Sequence, residues 1–384
     1  MHTSRTKIDS ECLGRLKAVL RRVQDMGPAK EECTIKTPIL ERAVFQVRPS
    51  EGCSELSRDE VQIFIPFEPP TWSDRMGCVG LSSLRVLVTG GHGFIGQHLT
   101  RELLKRGCKV FVFEREGVQT TISQAPRPEE IVGDIRDAGA THDAFCSAKP
   151  DVVVHLAATT GVLHCLENEE LTLTTNILGT YNVVKASWMS GASKIVFASS
   201  REVYGETRGQ ATREDDPAAP NNLYGLTKLV GEDIVKWGCI THGLRYTILR
   251  ITNVYGPGGE RYGIHKISRR IASGEDVTVM GGEQLLNFIY ISDLTSAICK
   301  VLDNPCSDGE VFNIAGPDTM TILDATSLIC RLAGREVSIK KAPMRATETI
   351  RFIADTSKAK RILGWSPEVR FRDGIGHVLS CPEK

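Results

Sequence analysis

Aromatic residues are scarce, at 6% of 384, and net charge is absent, since 47 basic side chains balance 47 acidic ones. A chain with no surplus of either sign carries no electrostatic signature of a nucleic-acid or membrane-surface partner. Any anionic ligand then has to be held by local donors. No apolar run approaches the length needed to span a bilayer. The twelve cysteines include no C-x-x-C pair, and the opening "MHTSRTKIDSE" lacks the apolar stretch of a secretory leader. These absences predict reduced thiols in a cytoplasmic protein, with neither a disulfide frame nor a metal centre.

What is present is ordinary for a globular chain: 41% hydrophobic and 24% charged residues, at a length suited to two or three structural units. The composition shifts near residue 82. Before that point Leu13, Leu16, Val19, Leu20 and Val23 have helical spacing, and "RAVFQVR" and "VQIFIPFE" read as strands. This extension matches nothing with an assignable role. From residue 84 the pattern changes. "LRVLVTG", "CKVFVFE", "DVVVHLAA", "SKIVFASS" and "RYTILRI" are short apolar runs separated by helical stretches. Continuous apolar strands alternating with helices predict an α/β fold, a parallel sheet covered on both faces.

The first run ends in "TGGHGFIG", which places Gly90, Gly93 and Gly96 three apart between a strand and a helix. Glycines there permit the tight turn, let backbone approach a pyrophosphate, and let the helix pack closely on the strand. The helix start adds its N–H groups and positive dipole end. Phe94 and Ile95 belong to the same turn. Glu114, about twenty residues on, ends the second strand, where a carboxylate meets the adenosine ribose hydroxyls and repels a 2′-phosphate. That favours NAD over NADP, although the adjacent Arg115 could accommodate a phosphate. "VGDIRD" sets Asp134 and Ile135 after a third strand, where a ring edge could be met.

"YGLTK" places Tyr224 and Lys228 four apart behind a Pro/Asn turn. On a helix these residues share a face. A cation beside a phenol favours its ionised form, which would make Tyr224 a proton acceptor near neutral pH. The competing reading is a helix start with a surface lysine.

Taken in order, "VLVTGGHGFIG", "VGDIRD", "HLAA", "TNILGTYNVVKA", "ASSREVYGE", "YGLTK", "LRITNVYGPG", "NFIYISDL" and "ADTSKAKRILGWSPE" resemble the extended short-chain dehydrogenase/reductase family, in its nucleotide-sugar epimerase/dehydratase branch. The resemblance runs from residue 84 to about 375. It implies a Rossmann-type doubly wound parallel sheet binding NAD over residues 83–255, with returns near 288–315. A smaller, mainly substrate-binding α/β domain would follow over 256–384, behind the 1–82 extension. Leu156, Ala157 and Ala158 would join the cofactor site. Tyr224 would be the catalytic base, Lys228 its partner and a nicotinamide-ribose ligand, and Ser200 the residue that bonds the reacting hydroxyl. The partner would be a nucleoside-diphosphate sugar. The resemblance also implies a homodimer packed through helices near 171–190 and 224–240.

Family members share one first step, oxidation of the sugar at C4, and then diverge. Residues 201 and 202 bear on the outcome. Dehydratases of the branch carry Asp-Glu there, whereas this chain has Arg201 and Glu202. Arginine cannot act as a general acid at ordinary pH. Epimerisation is therefore favoured, with Glu202 retained as a catalytic candidate. A 4,6-dehydratase or uronate decarboxylase is the alternative, and a non-catalytic NAD-binding regulator is the reading from another class. Arg201 and Glu202 could also simply pair with each other. Thr159, Thr160, Asn176, Ser200, Arg201, Asn253 and Arg345 are the substrate-site candidates. Where the family usually has Arg-Asp before "F-I-Y", this chain has Leu286 and Asn287, so a usual diphosphate arginine is missing; Arg261, Arg269 or Arg270 would have to compensate. Asp293 is expected to cap a helix.

Overall fold

A computed structural model describes residues 81–118, 125–207, 211–259, 263–344 and 349–381. The helix and strands expected before residue 80, and also Arg261 and Arg345, lie outside the described residues. Everything described belongs to one compact unit, which begins at Thr71.

The five apolar runs form β1 (Arg85–Thr89), β2 (Lys109–Glu114), β4 (Val152–His155), β5 (Lys194–Ser200) and β6 (Arg245–Ile251). With β3 (Glu129–Val132) and β10 (Glu310–Ile314) they make a seven-stranded sheet of order β10-β6-β5-β4-β1-β2-β3. Every neighbouring pair is parallel. The order reverses between β1 and β4, so a crevice opens beyond the carboxyl ends of those strands, the place where doubly wound sheets bind ligands.

Helices α1 (Phe94–Lys105), α2 (Ala138–Ala148), α3 (Val162–Glu167), α4 (Glu169–Leu173), α5 (Thr180–Met189), α6 (Leu223–His242), α7 (Gly263–Ala272) and α8 (Ile291–Asp303) connect the strands. The central strands are apolar throughout because both faces are buried. Val86 and Val88 join Leu99 and Leu103 of α1 and Leu294, Ala297 and Ile298 of α8 in one cluster. Leu87, between them, joins Phe145 of α2, Val183 and Val184 of α5, and Val235 of α6 in another. A two-residue period thus sends alternate side chains into two separate cores.

Two smaller sheets follow. β7 (Asn253–Tyr255), β9 (Leu285–Tyr290) and β11 (Thr319–Thr321) form one, and β8 (Val277–Met280) pairs with β12 (Ile339–Ala342). Together with α7, α9 (Ile322–Ala333) and α11 (Phe371–Ser380) they enclose a cluster that includes Tyr255, Phe288, Tyr290 and Phe371. α10 (Ser357–Leu363) instead packs into the first core through Ala359 and Leu363.

Asp293 corrects an expectation. It does not cap α8, whose N-cap is Tyr290. Its Oδ2 accepts from the backbone N–H groups of Glu368 and Val369 at 3.1 and 3.0 Å, and its carbonyl accepts from Trp365 Nε1 at 3.2 Å. Burial raises its pKa while those N–H bonds oppose the rise. The carboxylate faces the segment around Glu368 and Val369 and satisfies that segment's donors rather than its own helix's.

Candidate active site

The site is built at the carboxyl edge of the sheet. At the end of β1, Gly90 has φ +73°, and a Cβ placed there would lie 2.8 Å from the Ala157 nitrogen. A Cβ on Gly96 would collide with the Gly90 carbonyl. Both positions require glycine, one for its backbone conformation and both for close approach. Gly93 N–H donates to Gly90 O at 3.1 Å, which closes the turn. α1 then starts without a side-chain cap and without an acidic residue in its first turn. Its positive dipole end and free N–H groups are thereby open to an anionic group. Phe94 is buried and Ile95 half-buried on that turn.

Glu114 ends β2 beside this loop, where its carboxylate accepts from the N–H groups of His92 at 3.4 Å and Arg115 at 3.1 Å. Arg115 itself is exposed. Leu156 N–H donates to Thr89 O at 3.1 Å and Ala157 N–H to Thr89 Oγ1 at 3.3 Å, so the segment Leu156–Ala158 lies along the glycine loop. Asp134 receives Arg136 through Nε at 2.9 Å and Nη2 at 2.7 Å. Burial works against its charge, and the Arg136 bonds outweigh that and hold its pKa below the ordinary value. Ile135 is buried against Gly179, where a Cβ would stand 2.7 Å from Ile135 Cγ1. The cradle, the uncapped helix and the acidic strand end together fit a dinucleotide.

Ser200 is the last residue of β5, and its Oγ accepts from Glu202 N–H at 3.2 Å. That bond leaves the hydroxyl hydrogen available for donation outward. Tyr224 and Lys228 lie one turn apart on α6, as the spacing predicts. Lys228 is not a surface lysine: it is 4% exposed. Its Nζ donates to Ala198 O at 2.9 Å, and it stands 5.1 Å from the Phe197 ring centroid and 5.9 Å from that of Tyr224. Burial pulls its pKa down to about 8.

Asn176 ties this helix to the loop after β4. Its Oδ1 accepts from Thr159 N–H at 2.8 Å, and its Nδ2 donates to Thr159 O at 2.9 Å and Thr227 Oγ1 at 3.0 Å. It supports the site from behind. Thr159 is buried in that arrangement, whereas Thr160 is exposed.

Arg201 and Glu202 form a buried ion pair, with Nη2 2.7 Å from Oε1 and side chains 9% and 10% exposed. The other carboxylate oxygen accepts from Asn222 Nδ2 at 2.9 Å. Asn222 also caps α6 by accepting from Gly225 N–H at 2.8 Å. Both oxygens of Glu202 are therefore engaged. The sequence reading missed Asn222, although an asparagine just ahead of a helix is a recognisable N-cap signal. It also missed Glu232, which accepts from Ser199 Oγ at 2.6 Å and from Arg250 at 2.9 and 2.8 Å. No local signal marks that triad, because its members are joined only by the fold.

The expected diphosphate contacts are less concentrated. Asn253 Nδ2 donates to Asn287 O at 3.0 Å, within the three-stranded sheet. Leu286 belongs to the apolar cluster, and Asn287 holds Thr319 Oγ1 at 2.8 Å while accepting from Ala354 N–H at 2.8 Å. Arg269 and Arg270 are exposed on α7, the latter 3.5 Å from Glu275.

With this geometry in view, comparison with known proteins is direct. The model of the NAD dependent epimerase/dehydratase family matches residues 86–315. A putative UDP-glucose 4-epimerase of Methanocaldococcus jannaschii is 32% identical over 77% of this chain and 97% of its own length. Among solved structures, the Thermotoga maritima UDP-glucose 4-epimerase with UDP-glucose aligns with TM-score 0.73 and 29% identity, over 77% of this chain and 97% of that one. MoeE5 in complex with UDP-glucuronic acid and NAD aligns with TM-score 0.71 and 29% identity, over 77% and 97%. The chain belongs to the NAD-dependent epimerase/dehydratase family, within the extended short-chain dehydrogenases/reductases, and is an NAD-dependent enzyme of that class.

Proposed function

We propose that the chain is a nucleotide-sugar 4-epimerase acting through a transient 4-keto sugar, with a UDP-hexose as substrate. The observation that carries this reading is the pairing of Tyr224 with buried Lys228 on one face of α6, with Lys228 Nζ bonded to Ala198 O two residues before Ser200 ends β5. When bound, NAD supplies the hydride acceptor and later the donor. Tyr224, as phenolate, takes the C4 hydroxyl proton, and Lys228 stabilises the phenolate charge. Ser200, whose oxygen already accepts from Glu202 N–H, donates its hydroxyl hydrogen to align the sugar oxygen. Gly90, Gly93, Gly96 and Glu114 hold the dinucleotide. Turning the keto sugar over before hydride return inverts C4.

Dehydration would need an acid and a base for water loss from C5 and C6. Arg201 is no acid, and Glu202 is held at both oxygens by Arg201 and Asn222. That supports epimerisation, with Glu202 positioning Arg201 and the start of α6 rather than moving a proton.

The same reading includes a homodimer. The outer faces of α5 and α6 expose Tyr181 at 39%, Met189 at 45%, Trp237 at 40% and Ile240 at 72%, more large apolar surface than a lone helix pair usually leaves in water. Tyr181 and Trp237 stack at 5.9 Å. A cytoplasmic location accords with the described cysteines, which form no disulfide with one another. Among the described residues no helix is long and apolar enough to cross a membrane.

The test is to incubate the purified protein and NAD with UDP- and dTDP-sugars and to weigh the products. A new isomer of unchanged mass is the expected result. Loss of water would instead identify a dehydratase, and loss of carbon dioxide a decarboxylase. NAD binding without turnover of any donor would point to a regulator.

A further inference from the structure

β4 is apolar at Val152, Val153 and Val154 and then ends in His155, which is 1% exposed in a central strand of the sheet. A buried imidazole there is costly unless its nitrogens are paired. Both are. Nδ1 lies 2.7 Å from Thr89 Oγ1, at the end of β1, and Nε2 lies 3.0 Å from Thr180 Oγ1, at the start of α5.

The neighbouring bonds fix which nitrogen carries the hydrogen. Thr180 gives its hydroxyl hydrogen to the Asn176 carbonyl at 2.6 Å, so its oxygen has only a lone pair to offer His155. Nε2 is therefore the protonated nitrogen and Nδ1 the acceptor. Thr89 then donates its hydroxyl hydrogen to Nδ1, while its oxygen accepts from Ala157 N–H at 3.3 Å. Every hydrogen in the chain points the same way, from Ala157 through Thr89, His155 and Thr180 to Asn176. Aligned bonds of this kind polarise one another.

The two ends of the chain lie in the two halves of the site. Thr89 leads directly into Gly90 and the cofactor turn, and its carbonyl accepts from Leu156 N–H at 3.1 Å. At the other end, Asn176 holds both backbone groups of Thr159 and donates to Thr227 Oγ1 at 3.0 Å. Thr227 in turn donates to the Tyr224 carbonyl at 2.9 Å. The imidazole also lies 5.7 Å from the Phe197 ring, which Lys228 Nζ approaches to 5.1 Å. A packing role alone would be met by an apolar residue, as at the other positions of β4.

We propose that His155 is a positioning residue that couples the two ligand sites. A dinucleotide on the glycine turn fixes Thr89 and, through His155 and Thr180, fixes Asn176 and the backbone beneath Tyr224, so that a nucleotide sugar binds more tightly once the cofactor is in place. The sugar half of this inference rests on the epimerase reading. A chain already ordered at one end leaves less freedom to be lost at the other, and two ligands then cooperate. The coupling is reciprocal, so either ligand reports it.

The experiment uses the full-length protein freed of bound nucleotide. NADH and UDP-glucose are both reduced, so the pair does not react. Fluorescence titration gives the Kd of NADH with and without saturating UDP-glucose, and calorimetry gives that of UDP-glucose with and without NADH. In the parent each ligand is expected to tighten the other by about fivefold or more, the lower end of coupling between sites. In His155→Leu the change should be less than about twofold. His155→Gln keeps an acceptor for Thr89 and a donor for Thr180, and should keep the coupling. Thr180→Val breaks the chain one link further from the cofactor turn and should lose the coupling as His155→Leu does; it carries the test if His155→Leu does not fold. A His155→Leu or Thr180→Val protein that binds each ligand more weakly but keeps the parent's coupling overturns the proposal, because the residue would then serve stability alone. Loss of coupling in His155→Gln as complete as in His155→Leu overturns it too. Binding of UDP-glucose by the parent that is indifferent to NADH sinks only this inference, whereas failure of UDP-glucose to bind with or without NADH sinks the epimerase reading with it.

Discussion

Lys228 holds its ammonium 5.9 Å from the centroid of the Tyr224 ring, one helical turn away, in a position only 4% exposed. The ammonium is thus kept where water does not solvate it, and burial lowers its pKa to about 8 from 10.5. Between those two values the unfolded chain holds a proton that the folded chain has released. Stability from this group therefore rises with pH across the window and is lost as pH falls through about 8. Lys228→Met removes the buried charge at the cost of one hydrogen bond to Ala198. It should raise stability at pH 7 by about 2–3 kcal/mol, given ~1.4 kcal/mol per pKa unit less about 1 for the bond. Turnover should be lost. Urea denaturation beside a turnover assay checks both halves, and a less stable variant would contradict the account.

Tyr224→Phe tests the base directly. Removing a positioned proton acceptor should lower kcat by about 10²–10⁴-fold. The ring is half-buried and its packing is conserved by phenylalanine, so the affinity for NAD should change by less than about threefold, the scale of a few tenths of a kcal/mol. Fluorescence titration with NADH and single-turnover kinetics separate the two effects.

Gly96→Ala probes the cradle. The added Cβ would overlap the Gly90 carbonyl and lie 2.7 Å from Gly91 Cα, both backbone atoms that cannot rotate away. The helix start must move off the loop. NAD affinity should fall at least tenfold, while thermal stability falls by ~1–3 kcal/mol, the usual cost of overpacking. Retained NAD affinity would show that the diphosphate does not sit on this turn.

How much of this was legible in the sequence follows from the range of each interaction. The sheet was legible because Val86, Leu87 and Val88 alternate between two buried faces, so the run has to be apolar at every position. The cradle and the Tyr224–Lys228 pair were legible because their geometry is set within eight residues. Asp293 was misread because its partners, Glu368 and Val369, lie 75 and 76 residues away. The engagement of Glu202 was only half legible. Its pairing with Arg201 is local, but the Asn222 bond spans 20 residues and depends on how β5 and α6 meet.

His155 supplies an acid-sensitive element under the cofactor loop. It is fully buried between Thr89 Oγ1 at 2.7 Å and Thr180 Oγ1 at 3.0 Å. Burial pulls its pKa from 6.5 to about 3, with the Lys228 charge adding to the shift. Its contribution is present above pH 6.5 and is lost as pH falls toward 3. The slope approaches ~1.4 kcal/mol per pH unit once the unfolded chain is protonated. His155→Gln stays neutral and should flatten the loss of stability between pH 6.5 and 5. Matched urea midpoints across that range decide it, and identical slopes for the two proteins would remove His155 from the account.

Arg250→Met exposes what holds β5 and β6 together beneath Ser200. Glu232 has no exposed side-chain surface, and Arg250 grips it through Nε at 2.9 Å and Nη2 at 2.8 Å. The same carboxylate accepts from Ser199 Oγ at 2.6 Å, one residue before Ser200. Losing the arginine strands a buried anion, a change that typically costs ~3–5 kcal/mol. Lys236, 3.7 Å away and one third exposed, can repay only part of that. The double variant Arg250→Met/Glu232→Leu removes the anion as well and should recover about half of the loss, because a neutral apolar pair needs no compensation. Chemical denaturation of the two singles and the double gives the coupling between them. If the pair were merely stabilising, the double variant would also regain turnover. Because the carboxylate orients Ser199 at the end of β5, turnover should instead remain low in the double variant while part of its stability returns.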